Sequence, residues 1–139
     1  MNGYTAARTR YVDNAVSTAS PATLLVMLYD RLLRDLERGE LAFREGMRSE
    51  GSAQLLHAQD IVTELASTLD VDAWDGGPQL MSLYNYLATS LVEANIAADP
   101  DKVAACKGIV EPLHAAWEQA ARQAAEAAPD RAVGDLGVA

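Results

Sequence analysis

Apolar residues recur every three or four positions along most of the chain, and helix breakers cut that recurrence into four blocks. Leu25, Leu28, Leu32, Leu36, Gly39, Phe43 and Met47 share one face of a first helix, which opens at Ser20-Pro21 and ends near Arg48. Ser20 offers a cap for the free N–H groups, and Pro21 suits the first turn, where its missing N–H costs nothing. Positions 49–52, with Gly51, read as a turn. Leu55, Ala58, Val62, Leu65 and Leu69 make the second stripe. The run Asp75-Gly76-Gly77-Pro78 then breaks the chain within 70–78. Leu80, Leu83, Leu87, Leu91 and Ala94 make the third. Asp99-Pro100 repeats the cap-then-proline signal. Val103, Cys106, Val110, Leu113, Trp117 and Ala121 or Ala124 make the fourth. A sustained period near 3.6 is the pattern of amphipathic helices. Pro112 lies inside the fourth block and crowds the carbonyl of Gly108. It predicts a kink rather than a stop, because the stripe continues through Trp117.

Short connections place successive helices antiparallel. The predicted fold is therefore all-α, an antiparallel up-down four-helix bundle with a short N-terminal capping segment. The segment covers 1–19, the bundle 20–128, and 129–139 is small, polar and glycine-bearing, which predicts a disordered tail. A chain of 139 residues fits one domain. Aromatics make up only 6 % of it, and the abundance of Ala and Leu favours helix over sheet.

Charge narrows the partners. The formal net charge is −9, from 20 acidic and 11 basic residues, with no run of Lys or Arg. Such a surface repels phosphate backbones and anionic bilayers, so nucleic acid and membrane insertion are both disfavoured. No apolar run approaches the ~20 residues of a membrane span. The first ten residues lack the apolar core of a signal peptide, so the expected location is cytoplasmic. Cys106 is the one cysteine and sits among apolar helical positions, the setting of a buried, inert thiol.

Catalytic patterns are scarce. The phosphate-binding glycine motifs and the nucleophile elbow do not occur, and the acidic residues follow the spacing of solvated helix faces. An enzyme and a cofactor are not expected. Glu111-Pro-Leu-His114 matches one Glu-x-x-His pair of a ferritin-like metal-binding bundle. The second pair is missing, since Gln54 stands three residues before His57. That metal reading is the alternative to a protein-binding bundle.

The feature left over is an apolar excess. Leu24, Leu25, Val26, Met27, Leu28 and Tyr29 run without interruption, and one helix face cannot turn them all to one core. Leu24 and Met27 lie off the main stripe. They widen a core face under the N-terminal segment, or they floor a groove for a partner helix, with Met supplying adaptable contacts.

Several stretches resemble a known family. Tyr11-x-x-Asn14-x-Val16-x-Thr18-Ala19-Ser20-Pro21, then Leu24 and Met27-Leu28-Tyr29-Asp30, resemble the opening signature of flagellin export chaperones of the FliS type. Ala58-Gln59-Asp60-Ile61-Val62 with Glu64-Leu65 and Thr68-Leu69-Asp70 resembles their second helix. Leu83-Tyr84-x-Tyr86-Leu87, Leu91, Glu93-Ala94-Asn95-Ile96 and Asp99 resemble the third, and Ala116-Trp117 with Gln119-Ala120 the end of the fourth. The resemblance runs from about residue 4 to 121, and Arg31, Pro112 and the alanine-rich end of the fourth helix depart from it. It implies a cytosolic chaperone that binds the C-terminal segment of flagellin, prevents premature polymerisation and delivers it to the export gate, and is not an ATPase. It also implies that the N-terminal segment, with Tyr4, Tyr11 and Val16, folds over part of the client groove. Leu24, Met27, Tyr86 and Asn95 are the expected client contacts. Tyr86 is expected to be more exposed than Tyr84, and Asn95 falls at the edge of its stripe, where an amide bridging two helices is an equal reading. A weak homodimer is compatible with the sequence.

Overall fold

The computed structural model describes residues 21–138, with side chains through residue 127. The expected capping segment, 1–19, with Tyr4, Tyr11 and Val16, lies outside the described residues. Four helices make up the described chain: α1 Pro21–Arg44, α2 Arg48–Thr68, α3 Gly77–Ala97 and α4 Pro100–Val138. No strand occurs among the described residues, and the architecture is the all-α four-helix bundle that the periodicity predicts.

The chain divides into two compact units, one of Leu28–Pro112 and one drawn from Met1–Met27 and Leu113–Ala139. The first holds a core to which all four helices contribute. Tyr29, Leu32 and Leu36 meet Leu55, Ile61 and Leu65, with Leu87 and Leu91 from α3 and Val103 and Val110 from α4, all at most 1 % exposed. Burial of such side chains contributes about 1.5–3 kcal/mol each. Polar contacts fix which helix lies beside which. The Tyr29 and Tyr84 hydroxyls share a hydrogen bond of 2.6 Å between α1 and α3. Asp35 on α1 meets Nδ1 of His57 on α2. Lys107 Nζ on α4 lies 3.2 Å from Glu40 Oε1 on α1. Arg44 reaches both Glu40, at 2.9 Å, and Asp101 on α4, at 3.2 Å. Burial alone would raise the Glu40 carboxyl, but Arg44 and Lys107 beside it hold it below the usual carboxylate range.

Helix ends follow backbone chemistry. α1 stops at Arg44 because Gly46 takes φ +74°, and Met47 and Gly46 donate back to Ala42 and Phe43, at 2.8 and 3.1 Å. This left-handed stop suits glycine. The predicted turn at 49–52 therefore sits earlier, and Gly51 lies inside α2, where its bare backbone faces the Phe43 ring. α3 ends in the same motif with Ala98 at φ 48°, its N–H reaching Ala94 and Asn95. Asp99 then accepts the Asp101 N–H at 2.9 Å and caps α4, as Asp99-Pro100 predicts. Between α2 and α3, the Trp74 ring closes over Gly76, and Gly77 packs on the Val71 carbonyl, where a Cβ would approach to 2.1 Å.

α4 runs unbroken through Pro112. Helical backbone also continues past Pro129 to Val138, beyond the point where the sequence places a disordered tail. The alanine-rich run before Pro129 is strong helix former, and a proline removes one helical hydrogen bond without preventing helix on either side.

Candidate functional site

Leu24 and Met27 occupy the first turns of α1 and are both half-buried, as are their neighbours Leu25 and Val26. The residue on the stripe, Leu25, is thus half-buried like the off-stripe pair. Tyr86 on α3 is 60 % exposed, whereas Tyr84 is 2 % exposed. Asn95 is half-buried near the end of α3.

Tyr86 opens onto a depression between α3 and α4 of about 220 Å³, lined also by Ser90, Glu93, Lys102, Ala105, Cys106 and Ile109. Spacings of four and three put Tyr86, Ser90 and Glu93 on one face of α3, and α4 supplies the opposite wall. Burial, and secondarily the charge of Glu93, push the Cys106 thiol up to about 11, so it is a neutral apolar surface at neutral pH. The depression offers an aromatic, an aliphatic side chain and one charge of each sign. Such a set is chemically suited to an amphipathic segment. Of the expected contacts, Tyr86 lies in this depression and Asn95 does not. Leu24 and Met27 belong to the other compact unit. The α4 wall, Lys102 and Ile109, escapes sequence reasoning, because helix periodicity carries no information on which helices become neighbours.

Asp35 is the one buried charged residue among the described residues, at 0 % exposure. Arg31 Nε donates to one of its oxygens at 3.1 Å, and His57 Nδ1 meets the other. This cluster accounts for Arg31, an unexplained residue at the sequence level. His114 lies 3.3 Å from Glu118, one turn on, while Glu111 is exposed. No group of three or more His, Cys, Asp or Glu is arranged to hold a metal ion among the described residues. No helix among them is long and apolar enough to cross a membrane.

Known proteins share this pattern. Residues 3–124 match the family model described as flagellar protein FliS. The flagellar secretion chaperone FliS of Bacillus subtilis strain 168 is 33 % identical over 120 residues, 86 % of each chain. That of Vibrio cholerae is 29 % identical over 109 residues, 78 % of this chain and 80 % of the relative. That of Escherichia coli K12 is 29 % identical over 110 residues, 78 % of this chain and 81 % of the relative. With the family model covering most of its length, the chain belongs to the FliS family.

Proposed function

We propose that this protein is a cytoplasmic, non-enzymatic chaperone that binds the C-terminal segment of flagellin, keeps it from polymerising early and presents it to the flagellar export gate. The observation that carries the reading is the α3–α4 depression with Tyr86 standing 60 % exposed at its edge. A large aromatic left in water beside an aliphatic wall supports a docking role better than a role in the bundle's own stability. Membership of a family whose relatives bear the name flagellar secretion chaperone supports the client class. A client that is disordered alone pays its ordering entropy on binding, and apolar burial along the groove offsets it. Tyr86 is the proposed anchor, with Leu24, Met27 and Asn95 as further contacts.

The test is titration of a flagellin C-terminal peptide. Tyr86→Ala is expected to weaken binding about tenfold, ~1.4 kcal/mol, with little change in Tm because the side chain is exposed. Leu24→Asp is expected to weaken binding at least as much. Absence of any peptide binding by the unaltered protein would sink the reading. Unchanged affinity in Tyr86→Ala would remove the depression from the site.

A further inference from the structure

We propose that the outward face of α2 and α3 is a second docking surface, and that its occupant is a basic amphipathic helix of another protein. The inference does not depend on the flagellin reading. Arg48, at the start of α2, donates to the Ile96 carbonyl at the end of α3 at 2.8 Å, so the two helices run antiparallel from that point. Counting along each helix from it, Ser52 comes level with Val92, and Leu56 with Ala88. Val92 and Leu56 are exposed, and Ser52 and Ala88 are half-buried.

Ile96 is 71 % exposed, Leu56 54 % and Val92 43 %, with Met47 beside Arg48 at 43 %. One turn further on, the same face becomes polar, with exposed Asp60 on α2 and exposed Asn85 on α3. The apolar exposure is therefore confined to the end where α2 begins and α3 ends. Contiguous exposed apolar side chains with a polar margin mark interaction sites. Val92 and Ile96 stand one turn apart, and Leu56 flanks them from α2, so the patch matches apolar residues at i, i+4 and i+7 of an incoming helix.

Charge selects the occupant. α2 and α3 carry Glu50, Asp60, Glu64 and Glu93, against Arg48 as their one Lys or Arg, and its guanidinium already serves the Ile96 carbonyl. A second copy of this chain would bring the same carboxylates against these, in a molecule of net charge −9. A helix with Lys or Arg beside its apolar stripe would instead meet opposite charge on both flanks. The patch is small, which fits a transient contact.

The experiment uses the full chain and a Leu/Lys amphipathic peptide of about four helical turns, against a scramble of the same composition, followed by amide NMR shifts. Expected are binding about tenfold tighter for the amphipathic peptide, shifts centred on residues 47–60 and 85–96, and loss of that preference in Val92→Ser with Ile96→Ser. Both sites are exposed, so the fold should survive, and an unchanged thermal midpoint checks this. Equal binding of the scramble overturns the proposal, as do shifts centred on the α3–α4 depression. A concentration-dependent dimer abolished by Ile96→Ser would make a second copy the occupant and equally overturn it. Shifts from the flagellin peptide on this face would assign the face to the client, against the proposal. A flagellin peptide that fails to bind anywhere leaves the Leu/Lys result standing and sinks only the chaperone reading.

Discussion

Cys106 and Tyr84 are neutral acids kept from water, and together they set an alkaline limit on stability. Burial, then the charge of Glu93, push the Cys106 thiol from an ordinary 9.0 to about 11. Burial, then the hydrogen bond with Tyr29, push Tyr84 upward from an ordinary 10.0. Above pH 9 the unfolded chain loses its thiol proton while the folded chain keeps it, so stability falls as pH rises toward 11. Below pH 9 that contribution is present in full, and Tyr84 steepens the decline from pH 10 upward. The urea midpoint should drop above pH 9, and Cys106→Ala should flatten the early part of the drop, by at most ~1.4 kcal/mol per pH unit. An identical profile in Cys106→Ala would show that the thiol does not contribute. The burial of Cys106 was legible from its place among apolar positions. Asp35 was not legible, because a carboxylate one turn from Arg31 reads as solvated surface. Its burial depends on His57, which arrives from another helix.

At the scale of the helix, glycine placement decides how closely α1 and α2 pack. A Cβ on Gly51 would come within 2.3 Å of the Phe43 ring, and one on Gly39 within 2.4 Å of a Leu55 methyl. A terminal methyl can turn aside, whereas a ring buried between helices cannot. Gly51→Ala should therefore destabilise by about 1–3 kcal/mol, despite the ~1 kcal/mol that alanine gains in helix propensity. Gly39→Ala should cost less, and urea unfolding of the two variants gives the comparison. A more stable Gly51→Ala would mean that the ring moves freely.

The four helices themselves were readable from period and breakers, but their ends were less so. Gly46 and Gly51 are both plausible stops, and only the contact with Phe43 shows that Gly51 belongs inside α2. In α3 the period passes near both Leu83 and Tyr84. Tyr84 is buried and Leu83 half-buried, because the Tyr84 hydroxyl finds that of Tyr29 across the bundle.

For the whole molecule, charge is uneven along the sequence. The first 20 residues carry Arg8 and Arg10 against Asp13, while the full chain stands at −9. They also carry Tyr4, Tyr11, Val12 and Val16, residues that anchor a short segment at modest entropic cost. We hypothesise that this segment competes with the client for its groove. A chain beginning at Ser17 should then bind the flagellin peptide more tightly, by about tenfold if the groove is free one part in ten. Weaker binding by the shortened chain would place the segment within the binding site instead. The exposure of Tyr86 was legible, because it follows from its place beside the stripe. Sequence reasoning missed Lys102 and Ile109, because pairing α3 with α4 is a tertiary fact.

The two tryptophans give this chain an optical address for each of its compact units. Trp74 rests over Gly76 in the α2–α3 connection and is 52 % exposed, so its emission should resemble that of an indole in water. Trp117 is half-buried on α4, in the same unit as Leu24 and Met27. With Trp74 replaced by phenylalanine, all remaining indole fluorescence originates in that unit, and its colour reports on that unit without a dye.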